Sequence, residues 1–262
     1  MMKALVWGVA ALALAAGIAV MILSWAGTAE AKKEVPPYAP EVAEDSGKYD
    51  PKIDPANFVR EVDNPYFPLK PGTKFVYEGE TKDGTERVEV EVTRQTKTIL
   101  GVKCVVVRDR AYLEGELIED TFDWHAQDKK GNVWYFGEDT KEYENGEVVS
   151  TAGSFEAGKD GAKAGIIMKA KPRVGDSYRQ EYYVGEAEDM AEVLTLDAAG
   201  LNDAVDVPYG SFENVLLTKD WAPVEPNVLE HKYYARDVGL IGAEKVVGGS
   251  EDQVELVEVT TE

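Results

Sequence analysis

Residues 117–138, LIEDTFDWHAQDKKGNVWYFGE, constrain the fold more than any other stretch of the chain, because they read as two aromatic-rich strands folded about a polar turn. In the first strand Ile118, Phe122, Trp124 and Ala126 share one face, and Glu119, Thr121, Asp123, His125 and Gln127 share the other. The order of features recurs at residues 228–244, VLEHKYYARDVGLIGAE: Ala126-Gln127-Asp128 matches Ala235-Arg236-Asp237, and Gly131 with Val133 matches Gly239 with Ile241. This echo predicts an internal duplication. It also aligns Trp124 with Tyr233, gives His231 the inward place of Phe122, and gives His125 the outward place of Tyr234, so the two imidazoles should not converge.

The flanking sequence extends the pattern. NPYFPLKPGT, from Asn64, is an extended proline segment closed by the turn Pro71-Gly72, and the folded domain is expected to start there. Strands follow at residues 74–80 and at 86–96, where Val88, Val90 and Val92 face inward. Leu100-Gly101, Glu114-Gly115 and Asn145-Gly146 mark turns between further strands. Residues 151–173 are irregular and read as a connection between halves. The pattern then restarts, with strands expected at 176–184, 190–196, 205–209, 215–221, 228–235, 240–247 and 254–260; residues 186–196 also read as a helix. The predicted fold is all-β: two related antiparallel meanders, about residues 65–150 and 172–262, forming a sandwich or a curved half-barrel within a domain of residues 64–262.

The N-terminus points to export. After Lys3 the chain carries no charge from Ala4 to Ala29, which fits either a signal peptide cleaved after Ala29-Glu30-Ala31 or an uncleaved transmembrane anchor. Residues 1–31 are this signal or anchor, and residues 32–63, rich in Pro, Ala and acids, are expected to be a flexible linker. Within the linker, Asp54 and Pro55 could cap a helical turn that docks Phe58 on the domain. The rest of the chain would lie outside the cytoplasm, secreted, periplasmic or held at the outer face of the membrane, and would touch the membrane through the N-terminal helix alone.

Composition narrows the partners. The 49 Asp and Glu against 28 Lys and Arg give the 262-residue chain a net charge of −21, which repels nucleic acid and anionic lipid. Cys104 lies in an apolar run and reads as a buried hydrophobe. With two histidines, His125 and His231, the chain holds neither a three-histidine zinc site nor an HExxH helix. Gly153 to Asp160 nearly spells a phosphate-binding loop, but Asp160 stands where that loop needs Ser or Thr. No nucleophile motif, catalytic residue or cofactor is indicated. Glu119, Asp123 and His125, together on one strand face, form the alternative reading of a metal-binding or metal-dependent catalytic site.

At NPYFPLKPGT, DWHAQDKKGNVWYFGED and EHKYYARDVGLI the chain resembles a group of uncharacterised exported bacterial all-β proteins, over about residues 64–262. The resemblance implies an exported β domain and no reaction, cofactor or catalytic residue. In plan alone it is similar to the LolA-like half-barrels that carry acyl chains. The function expected is an extracytoplasmic, non-enzymatic binding or structural protein, with Trp124, Trp134, Trp221 and Tyr233 lining a seam between the halves for an apolar or sugar-like ligand.

Overall fold

The structure, a computed structural model, describes residues 49–200, 204–247 and 252–262, so the export segment lies outside the described residues. Among the described residues no helix is long and apolar enough to cross a membrane. The chain opens with a 3-10 turn, Pro55–Asn57, whose first free amide, that of Ala56, donates to Asp54 Oδ1 at 3.0 Å. A small ribbon of β1 (Asp63–Asn64) and β2 (Phe67–Pro68) precedes the main sheet.

The first meander is β3 (Thr73–Thr81), β4 (Gly84–Ile99), β5 (Val102–Leu113), β6 (Glu116–Gln127) and β7 (Val133–Glu144). Between β4 and β5, and between β5 and β6, the turns are Leu100-Gly101 and Glu114-Gly115, with φ of 50° and 80°, and 50° and 82°. Two successive positive φ angles make a turn whose twist suits a tight antiparallel hairpin. β8 (Glu147–Ser150) and β9 (Phe155–Glu156) pair with β7, and β10 (Lys163–Met168) pairs along its other half. Residues expected to be an irregular connection therefore supply strands, because their backbone groups meet the free edge of β7.

The second meander comprises β11 (Ser177–Arg179), β12 (Glu181–Tyr182), β13 (Met190–Thr195), the outlying hairpin of β14 (Val205–Val207) and β15 (Gly210–Phe212), β16 (Leu216–Trp221), β17 (Leu229–Ala235), β18 (Gly239–Lys245) and β19 (Gln253–Thr261). The stretch that also read as a helix is the strand β13. The two meanders do not face each other as a sandwich. They join edge to edge through β19 and β3 into one antiparallel sheet, in the order β11-β13-β16-β17-β18-β19-β3-β4-β5-β6-β7-β10-β12.

That sheet is nearly closed into a barrel, because β11 and β12, at its opposite ends, are successive pieces of one segment. Ser177 to Arg179 pair with β13, while Glu181 and Tyr182 pair with β10. Gly165 permits the closure: a Cβ there would stand 2.1 Å from the Gln180 carbonyl oxygen. Bulges between Val92 and Thr96, and between Asp123 and His125, supply the curvature that an even ladder lacks.

Two cores follow. The inner one runs around the barrel, from Tyr77 and Val88 through Val107, Tyr135 and Met168 to Val193, Leu216, Tyr234 and Leu256. The outer one, Ile99, Val102, Cys104, Val106, Trp124, Ala126 and Phe136, is capped by the N-terminal strap, where Phe58 meets Phe136 at 5.5 Å and Trp134 at 6.3 Å between ring centroids. Burial raises the Cys104 thiol to about 12, which keeps it an inert hydrophobe. The described part of the proline-rich linker is thus packed onto the barrel.

A polar lining inside the barrel

The alternation along β6 locates the candidate site. Trp124 and Ala126 belong to the outer core, so Thr121, Asp123, His125 and Gln127 point inward, and all of them are buried. β5 contributes Asp109, β7 contributes Tyr135 and Glu138, and the closing segment brings Glu181. On the far side Asp220 from β16 and Glu230 and Lys232 from β17 are buried as well.

Lys232 is the satisfied part of this lining. Its ammonium lies 3.5 Å from Asp220 Oδ2 and 3.5 Å from Glu230 Oε2, and Asp220 is further held by Thr218 at 2.5 Å and Gln180 at 3.1 Å. Burial alone would lower the Lys232 pKa, but the carboxylates of Asp220, Glu230 and Asp189 hold it above the usual lysine range.

Among the described residues no cation is paired with Asp123 or Glu138, and Lys232 reaches the opposite side only as a weaker pull on Glu181. The Tyr135 hydroxyl lies 2.7 Å from Asp123 Oδ1 and 2.9 Å from Glu138 Oε2. One hydroxyl carries one hydrogen, so the second of these bonds needs an acid proton from Asp123 or Glu138. The electrostatics agree. Burial raises Asp123 to about 7 against the pull of the Tyr135 hydrogen bond, and burial with the nearby Asp123 charge raises Glu138. Burial likewise raises Glu119 to about 8, and lifts Asp109 and Glu181 well above the carboxylate range with help from neighbouring acids.

Several of these groups keep open bonding capacity. Both ring nitrogens of His125, both carboxyl oxygens of Glu181, Asp109 Oδ2, Asp123 Oδ2, Glu138 Oε1 and the Tyr178 hydroxyl are buried without a hydrogen-bond partner. His125 stacks on Tyr135 at 4.8 Å and meets Phe67 at 5.4 Å, and burial lowers its pKa to about 3, which keeps the ring neutral. A cavity of about 50 Å³ reaches Asp109 and His125 between Phe67, Leu69, Val238 and Leu240.

The residues singled out from sequence divide between the two faces. Glu119, Asp123 and His125 do share the inward face of β6. They do not make the metal site of the alternative reading, since among the described residues no group of three or more His, Cys, Asp or Glu could hold a metal ion. Same-face neighbours on a strand stand about 7 Å apart; the bulge opposite Asp123 and His125 has its extra residue on β7, between Tyr135 and Glu138.

Trp124 and Trp134 lie in the outer core, and Trp221 carries the Lys219 ammonium 5.1 Å from its ring centroid. Tyr233 donates to Glu244 at 2.7 Å and lines a separate cavity of about 200 Å³ with Val205, Val207 and Gln253, beneath the β14–β15 hairpin. Neither of these two cavities is lined by Trp124, Trp134 or Trp221. The histidines lie on opposite faces with the sides exchanged: His125 is 1 % exposed inside the barrel, and His231, half-buried, meets Glu244 at 3.3 Å.

Sequence reasoning missed Asp109, Glu138, Glu181 and Lys232. Asp109 and Lys232 did leave a signal, as charges at positions that alternate with buried apolar residues.

Fold and lining together define a class: a nearly closed antiparallel β-barrel with an acidic, incompletely satisfied interior. The chain matches no protein-family profile and no curated protein. Among solved structures it is similar to a candidate exported protein with a YmcC-like fold from Bacteroides fragilis, at 15 % identity and a TM-score of 0.45, over 75 % of this chain and 99 % of that one. It is also similar to a candidate lipoprotein from Parabacteroides distasonis, at 12 % identity and a TM-score of 0.39, over 74 % of this chain and 98 % of that one.

Proposed function

We propose that this protein is a non-enzymatic extracytoplasmic binding protein that takes a small hydrogen-bonding ligand into its barrel. The observation that carries this reading is the open bonding capacity of His125, Glu181, Asp109, Asp123 and Glu138 inside an otherwise packed interior. A buried polar atom left unpaired costs about 1–3 kcal/mol, and a ligand that bonds to several on one wall recovers that cost. The ligand is polar where it touches this wall, rather than sugar-like and stacked on Trp124 or Trp221, whose rings lie outside the barrel. Export rests on the uncharged run at residues 4–29.

The cavity at Asp109 and His125, about 50 Å³, is far below the ~300 Å³ typical of pockets that enclose a whole drug-sized molecule, so it receives one end of a ligand. A thermal-shift screen of small polar metabolites tests the reading. A true ligand at about 100 times its Kd adds about 2.7 kcal/mol of stability, and the gain should vanish in an Asp123→Asn, Glu181→Gln double variant. A hit that stabilises both proteins equally binds elsewhere, and the interior reading falls.

A further inference from the structure

The interior also specifies the kind of ligand. The cavity above Asp109 and His125 has apolar walls, Phe67, Leu69, Val90, Val238 and Leu240, and a polar floor. Tyr77, which also lines it, is occupied, donating to the Leu240 carbonyl at 3.0 Å. The floor offers Asp109 Oδ2 and both nitrogens of a neutral His125, none of which has a partner. We infer that this cavity is a subsite for the protonated head group of a primary amine, whose apolar body lies against Phe67, Leu69 and Val238.

The inference rests on the binding reading above, and charge decides the head group. The groups that face Asp109 are Tyr77 from β3, Glu86 from β4, and Glu119, Asp123 and His125 from β6, none of them a cation; Asp120, beyond them, is already paired with Arg108 at 2.8 Å. The interior ammonium of Lys232 is already matched by Asp220 and Glu230. A carboxylate or phosphate would therefore bring further negative charge into a cluster of acids, and a neutral alcohol would bring no positive charge to pair with Asp109 when it ionises. A bare metal ion wants several convergent donors, which the described residues do not provide. An ammonium suits divergent partners: it brings three donors and tolerates hydrogen-bond distances near 3 Å.

Size agrees, since on the same measure one water needs about 10–15 Å³ and a cavity of about 50 Å³ admits an ammonium with its first methylene. The barrel itself holds an ammonium among carboxylates at Lys232. Because burial and neighbouring acids keep the Asp109 carboxyl protonated, entry of a cation favours the ionised form, and a proton leaves as the amine binds.

The test is an NMR titration of the full chain with n-butylammonium chloride, n-butanol and sodium butyrate. Butylammonium should bind at least tenfold more tightly than butanol, more tightly at pH 8 than at pH 6, and butyrate should not bind. Asp109→Asn should weaken butylammonium at least tenfold. Val238→Trp, which fills the cavity from the turn before β18 and leaves Asp109 and His125 in place, should abolish its binding. Equal affinities for butanol and butylammonium, or an Asp109→Asn protein that binds the amine unchanged, would overturn the amine assignment and leave the barrel a binder of neutral ligands. If none of the probes shifts a resonance of the lining, the amine assignment is overturned too. If, in addition, the metabolite screen finds no ligand that depends on Asp123 and Glu181, the binding reading fails with it.

Discussion

Asp123 and Glu138 are joined through a single hydroxyl: Tyr135 lies 2.7 Å from one carboxyl and 2.9 Å from the other, so the three groups hold at least one acid proton between them. Infrared spectra at neutral pH should therefore show a protonated-carboxyl band, weakened in Asp123→Asn and in Glu138→Gln. Tyr135→Phe removes the shared donor and should cost about 1–3 kcal/mol in urea unfolding, the usual price of leaving a buried acceptor unpaired. A neutral variant would show that the hydroxyl does not bridge them.

The same carboxyls set the pH dependence of stability. Asp123 and Glu119 titrate at about 7 and about 8 in the folded chain, above their ordinary 3.8 and 4.5, so the folded state holds more protons than the unfolded one between these limits. Their contribution is complete below about pH 4 and is lost as pH rises through about 7 to 8. His125 acts in the other direction. Its pKa is lowered from 6.5 to about 3, so its contribution is present above 6.5 and is lost as pH falls toward 3. Tm should therefore peak at mildly acidic pH and fall by several degrees between about pH 6 and 8.5. Glu119→Gln should flatten the alkaline limb; an unchanged limb would locate the titration elsewhere.

Lys232 offers a test of the opposite wall. Replacing it by Met leaves Asp220 and Glu230 buried together with no cation between them, and breaking a buried pair in this way costs about 3–5 kcal/mol. Adding Asp220→Asn to Lys232→Met should recover part of that loss. Additive losses in the double variant would mean that the two groups do not interact.

Closure of the barrel depends on Gly165. Alanine there would press against the Gln180 carbonyl, which is backbone and cannot rotate away, so Gly165→Ala should destabilise by about 1–3 kcal/mol. Hydrogen exchange should quicken first at Glu181 and Tyr182, where the closing segment pairs with β10. Uniform exchange across the sheet would argue that this segment does not latch the barrel.

The strands were legible because turn chemistry and alternation are local. Leu100-Gly101 and Glu114-Gly115 sit at the tight hairpin turns, and the face shared by Asp123 and His125 opposes that of Trp124 and Ala126. Which face is inside was not legible. β6 is buried on both sides, because the strap carrying Phe58 covers the outer one, and an aromatic outer face with an acidic inner face reverses the usual rule. Closure was hidden for another reason. Residues 176–184 read as one strand, yet the segment divides at Gln180 and serves two neighbours, and the sequence carries no sign of that division.

The barrel as a binder is tested most directly by native mass spectrometry of the protein purified without denaturation from cells that make it. The chain should carry a small non-covalent adduct that leaves on denaturation, and an Asp109→Asn, Glu181→Gln double variant purified alongside should not. Identical bare masses for both proteins, or an adduct that the variant keeps, would contradict an interior ligand.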